Sequence, residues 1–249
     1  MVDALAQKWP KFARLWCNAD RIMNSSYGSL KNLSNRIKIT TFVIFVAALG
    51  EYILLVIYQI LWITEKNHGV FVIKSYFFLA FPEFFAMMPF NWFTAALTTI
   101  TMLIGHIIWS FNDLFIVSVS SALALRFKQI THRLSLNEKK ANSNEYWIEM
   151  RADYDRLVHL SKKLDKYISY VVLLSYSANI FFLLMQLSNV IGHLNTNIQV
   201  SYYTYSFTFL IARLVAVTLY GAWISDESKE PAICLNSVPS ATYNLEVNI

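Results

Sequence analysis

Charge is scarce in this sequence: Asp, Glu, Lys and Arg make up 15% of its 249 residues, against roughly 25% in an ordinary soluble domain. The charges fall into blocks separated by long runs nearly free of them, the pattern of helices whose solvent is a bilayer. Cysteine is almost missing. Cys17 and Cys234 are the only two, in polar segments near opposite ends of the chain, which argues against a secreted disulfide framework and makes both expected free thiols. Residues 1–38 hold no uninterrupted apolar stretch before a small-residue cleavage site, so no cleavable signal peptide is read there and the first span serves as the insertion signal. There is no phosphate-cradling glycine loop, no HExxH or other metal-spaced histidine cluster, no GxSxG elbow, and no pair of carboxylates at matched depth. Catalytic residues, a metal and a cofactor are therefore not expected. Internal repeats and low-complexity tracts are also lacking.

What fills the chain instead is apolar: 56% of residues are hydrophobic and the mean hydropathy is +0.40. Residues 39–63 form a run of 25 with Glu51 as the one charge, long enough as a helix to cross a hydrocarbon core of about 30 Å. The stretch 64–89 is aromatic but broken by Lys74, Pro82 and Glu83, and reads as an interfacial or re-entrant hairpin rather than a span. Residues 90–125 contain no Lys or Arg and only Asp113 as a formal charge. At 36 residues this run suits one long helix projecting beyond the membrane better than two crossings. In 126–166 apolar residues recur at Trp147, Met150, Tyr154, Leu157, Leu164 and Ile168, the heptad spacing of a helix packed lengthwise on others. That helix enters an uncharged span, 167–191. A loop at 192–197 leads to a fourth span, 198–224, holding Arg213, and a polar tail, 225–249, follows. The reading is all-α: a polytopic membrane helical bundle with four spans and long cytoplasmic helix extensions.

Lys and Arg number seven in 1–38, two in 64–89, ten in 126–166 and none in 192–197. The alternation fits four spans, and the positive-inside rule puts both termini in the cytoplasm, with 1–38, 126–166 and 225–249 inside and 64–89 and 192–197 outside. The sequons at Asn24 and Asn32 then fall on the inner side and are expected to stay unmodified. The net charge of +5 belongs to these cytoplasmic segments and not to an aromatic-interleaved basic stripe, so nucleic acid is not an expected partner.

Ionisable groups at membrane depth usually face protein or a water-filled cavity, which singles out Glu51, His106, Asp113 and Arg213. Glu51, beside Gly50, is read first as an interhelical hydrogen-bonding group. Asp113 and Arg213 lie near mid-depth and could pair with each other or meet a ligand. His106, Trp109, Asn112 and Asp113 share one side of a helix, the mixture of amide, carboxylate, imidazole and aromatic ring that a sugar needs: hydroxyls to pair and C–H faces to stack. Gln186 and Asn189 offer a second polar face, and Tyr58, Trp62, Tyr202, Tyr203 and Tyr205 supply aromatics at the outer depth. Interfacial aromatic belts and polar interhelical contacts would use the same residue types.

Residues 109–130 (WSFNDLFIVSVSSALALRFKQI), 176–180 (YSANI), 212–214 (ARL), 226–229 (DESK) and 237–247 (SVPSATYNLEV) resemble the sugar-sensing branch of the insect gustatory receptors. The opening 8–10 (KWP) is similar to the cytoplasmic segment before that family's third helix. The resemblance covers nearly the whole chain. It implies a seven-helix protein of the plasma membrane with a cytoplasmic N-terminus, assembling as a homo- or hetero-oligomeric, tetrameric cation channel opened by a small sugar. It further implies a ligand pocket in the outer half of each bundle and cytoplasmic helices forming a shared anchor, a role that the heptad stretch fits. By the same comparison this chain starts as the family's second helix would end and stops before the pore helix, so four of seven spans are expected here and the chain reads as a truncated form. A secondary transporter fragment and a non-conducting accessory membrane protein are the alternatives. Against the transporter, no span contains a proline and Gly50 stands alone in its span.

Overall fold

A chain with so many long apolar runs must satisfy its backbone within each segment, and helices do that in lipid. The computed structural model describes residues 2–28, 33–66, 73–136, 144–192 and 197–236, and every regular element among them is a helix. These are α1 (Val2–Tyr27), α2 (Leu33–Lys66), α3 (Ile73–Ala80), α4 (Pro82–Met87), α5 (Trp92–Leu136), α6 (Asn144–Gly192) and α7 (Asn197–Asn236). The loop expected at 192–197 lies mostly outside the described residues, as do Asn32 and the 237–247 motif.

Among the described residues four helices, α2, α5, α6 and α7, are long and apolar enough to cross a membrane. Their apolar surfaces stay largely uncovered by protein: Phe42 is 71% exposed, Phe93 75% and Leu174 63%. Surface of that kind needs hydrocarbon around it. At about 1.5 Å per residue, the 45 residues of α5 extend about 68 Å, more than twice a hydrocarbon core of about 30 Å. The break expected at Pro82 is where α3 ends and α4 begins, with Pro82 at the first turn of α4, the place in a helix where a missing N–H costs nothing. Tyr76 of α3 donates to Gln59 Oε1 of α2 at 3.1 Å.

Local signals set the ends. The Asn91 side chain accepts from Thr94 N at 2.8 Å while Asn91 N donates to Thr94 Oγ1 at 3.0 Å, a reciprocal cap that starts α5. α1 stops at Gly28, whose φ of 78° is open to glycine at little cost, and whose N–H returns to Asn24 O at 3.0 Å.

The chain forms two compact units, one of Met1–Lys38, Phe115–Leu173 and Ala216–Ile249, the other of Ile39–Leu114 and Leu174–Val215. The first unit holds a continuous apolar core. α1 contributes Phe12, Ala19 and Met23; α5 contributes Leu123, Phe127, Ile130 and Leu134; α6 contributes Met150, Leu157, Leu160, Leu164 and Ile168; and α7 contributes Leu235. Every heptad position named from the sequence is in this core or packs on it. Beside the core, the buried Arg126 guanidinium donates through Nε to Asp20 Oδ1 at 3.0 Å and through Nη2 to Asn24 Oδ1 at 2.7 Å. Tyr27 donates to Asp153 at 3.0 Å.

One segment differs from the sequence reading. The tail expected from Ser225 is helical as far as Asn236. Trp223 Nε1 donates to Glu227 one turn on at 2.8 Å, Tyr154 donates to Ser228 O at 3.3 Å, and Pro231 and Leu235 are buried. Burial in the first unit's core thus outweighs the helix-breaking tendency of Pro231, in line with tertiary packing overriding local propensity.

Candidate functional site

The ionisable residues Glu51, His106, Asp113 and Arg213 all belong to the second unit, whose polar and aromatic side chains form three groups. In the first, α5 supplies Trp109 and Asp113, α6 supplies Ser175 and Asn179, and α7 supplies Phe209 and Arg213, each pair four residues apart and so on one helix face. Arg213 Nε donates to Asp113 Oδ2 at 2.7 Å and Nη2 donates to Trp109 O at 3.1 Å. Its guanidinium lies 4.6 Å from the centre of the Trp109 ring and 5.5 Å from that of Phe209. Ser175 donates to the other Asp113 oxygen, and Asn179 Nδ2 approaches Oδ2 at 3.4 Å. With Asp113 2% exposed and Arg213 5%, the pair is withdrawn from solvent, and its cost is offset by opposite charge, two aromatic faces and satisfied lone pairs. Trp109 also packs on Phe182, ring centres 4.2 Å apart.

The second group is a chain of hydrogen bonds across three helices: Gln186 of α6 donates to Ser206 of α7, which donates to Glu51 of α2. Glu51 is buried and takes the interhelical role read for it. Next to it, Gly50 makes room for Tyr205, whose hydroxyl donates to Ala47 O at 3.0 Å.

The third group lies about two turns along α2 from Glu51, toward the end of that helix at Lys66. Tyr58 stacks on Tyr202 at 5.4 Å between ring centres and meets Tyr203 edge-on at 5.8 Å. Beside these rings opens a cleft of about 330 Å³ lined by Tyr58, Leu61, Trp62, Thr64, Glu65, Ile198 and Gln199, within the size range of small-molecule sites. An aromatic wall with a carboxylate, an amide and a hydroxyl at its edge can stack an apolar ring face and pair hydroxyl groups at once.

The sequence-derived residues are thus distributed. Trp109 and Asp113 meet, with Arg213; Tyr58 and Tyr203 meet at the cleft; Gln186 joins Glu51. His106 does not join Trp109 and Asp113 but packs edge-on against Tyr52 of α2 at 5.4 Å. Asn112 is half-buried on α5, and the side chain of Asn189 lies outside the described ones. Thr64, Glu65 and Gln199 were missed. A signal existed, since Tyr58, Leu61, Trp62 and Glu65 follow helical spacing and Gln199 precedes Tyr203 by four.

The family model described as trehalose receptor matches residues 2–249. Among curated proteins of Drosophila melanogaster, the gustatory receptor for sugar taste 64a is 30% identical over 98% of this chain and 55% of its own length. The gustatory receptor 5a for trehalose is 26% identical over 98% of this chain and 55% of its own, and the gustatory receptor for sugar taste 64f is 26% identical over 98% and 52%. The chain therefore spans about half the length of the curated relatives it matches. With the family match running from residue 2 to residue 249, this helical membrane protein belongs to the trehalose receptor family of sugar gustatory receptors.

Proposed function

We propose that this chain is part of a sugar receptor of the plasma membrane, a subunit of a cation channel opened when a sugar enters the cleft between α2 and α7. The reading is carried by the cleft itself: Tyr58 and Trp62 beside Glu65 and Gln199, in a space of about 330 Å³. Relatives whose names carry sugar taste and trehalose support a saccharide as the ligand. Tyr203 backs the cleft by packing on Tyr58. Asp113, already engaged by Arg213 and Ser175, acts by holding α5, α6 and α7 together, and Gln186 joins α6 to α7 and, through Ser206, to α2. The block of ten Lys and Arg in 126–166 supports a cytoplasmic first unit, with both termini inside, whose packed helices join neighbouring subunits. The chain spans about half of its relatives' length, so conduction is assigned to an assembly that contains it.

The test is sugar-evoked cation current from cells expressing such an assembly, with trehalose, sucrose, glucose and fructose applied in turn. Trp62→Ala and Glu65→Gln should each raise the half-maximal sugar concentration by roughly tenfold or more, the worth of one stacking or charge-assisted contact. Unchanged dose–response curves would remove the cleft from the sugar site.

A further inference from the structure

A second recess lies in the same unit. Between α2 and α5, Phe45, Ala48, Leu49, Tyr52, Leu103, His106, Ile107 and Ser110 line a groove of about 90 Å³. Its rim is apolar and outward-facing: Phe45 is 49% exposed, Leu49 54%, Leu103 42% and Ile107 43%. On spanning helices such a rim opens toward acyl chains, so whatever enters arrives through the bilayer. The half-buried floor is different. Tyr52 and His106 pack edge-on against each other, and neither the Tyr52 hydroxyl nor the His106 ring makes a hydrogen bond to any described residue. Polar atoms at membrane depth are costly without a partner. A hydrocarbon occupant would leave these two unpaired, and a sugar would not cross lipid to reach them. One hydroxyl on an apolar chain satisfies both, donating to one ring and accepting from the other, while its carbons lie along Phe45, Leu49, Leu103 and Ile107.

We propose that this groove is a binding site for a small aliphatic alcohol dissolved in the bilayer, its hydroxyl held by Tyr52 and His106. The site is separate from the α2–α7 cleft and does not depend on the sugar reading. An alcohol lodged here wedges α2 against α5, both of which also carry residues of the polar groups described above, so occupancy couples membrane-borne amphiphiles to the receptor's helices.

The experiment is photolabelling of the full chain in phospholipid nanodiscs with an octanol carrying a diazirine on its chain, with labelled residues mapped by mass spectrometry. Label should concentrate on 45–52 and 103–110, fall in the presence of excess 1-octanol, and persist with octane at equal membrane concentration. The paired substitution Tyr52→Phe with His106→Phe keeps both rings and should cut groove labelling roughly tenfold, the loss expected for two hydrogen bonds. Labelling at the lipid-exposed Phe181 and Leu184 of α6 should be unchanged in that variant, which shows that it is folded. Label spread evenly over lipid-facing residues, equal displacement by octane, or undiminished groove labelling in the variant would each overturn the proposal.

Discussion

At Gly50 a missing side chain admits a neighbour: a methyl group there would lie 2.9 Å from the Tyr205 hydroxyl oxygen. Gly50→Ala should push that hydroxyl off Ala47 O and cost about 1 kcal/mol, the net worth of one hydrogen bond. In a Tyr205→Phe background the same substitution should cost little, and thermal unfolding of the two single variants and the double variant measures the coupling. Tyr27 supplies a pH test. Burial, and next the Asp153 carboxylate that accepts its hydroxyl, raise its pKa above the ordinary 10.0, with Arg133 opposing. A raised pKa contributes stability that is complete below the unfolded value near 10 and is lost as pH climbs toward the folded one. The unfolding temperature should therefore fall as pH rises above 10, and fall less in Tyr27→Phe. At this scale the sequence was legible where a residue type is expensive in lipid: Glu51, Asp113 and Arg213 are all buried and partnered. His106 lies seven residues from Asp113, about 10 Å along the axis, and packs on Tyr52 of α2; no local spacing reveals which helix lies there.

Between elements, the Asp113–Arg213 pair ties α5 to α7, with Ser175 and Asn179 bringing in α6. Asp113→Ala leaves a buried guanidinium uncompensated and should cost about 3–5 kcal/mol in unfolding free energy. Replacing both partners, Asp113→Leu with Arg213→Met, should recover most of that loss, because the charge and its desolvation go together. A double variant as unstable as Asp113→Ala alone would show that the pair does more than compensate itself. Long elements were the most readable feature. A 36-residue run with Asp113 as its one charge becomes part of one continuous helix because nothing in it breaks the backbone ladder, and Pro82 divides α3 from α4 because it has no N–H to give. The end of α7 was not readable. Residues 225–236 are polar and contain Pro231, and only the core that receives Pro231 and Leu235 keeps them helical.

For the whole molecule, the charge pattern and the heptad spacing anticipated four spans and a packed helical extension, since lipid solvation and core periodicity leave marks along the chain. The cleft left fewer. Tyr58, Trp62 and Glu65 sit toward the end of α2 and Gln199 at the start of α7, 134 to 141 residues away in sequence, and their meeting is a product of the fold. The cleft is where the account is most exposed. Equilibrium binding of radiolabelled trehalose and sucrose to the chain in nanodiscs, with and without Trp62→Ala and Glu65→Gln, tests it directly. Saturable binding of at least one sugar, weakened roughly tenfold by either substitution and untouched by Tyr52→Phe, is the expected result; saturable binding that both cleft variants leave intact, or none for either sugar, would contradict it.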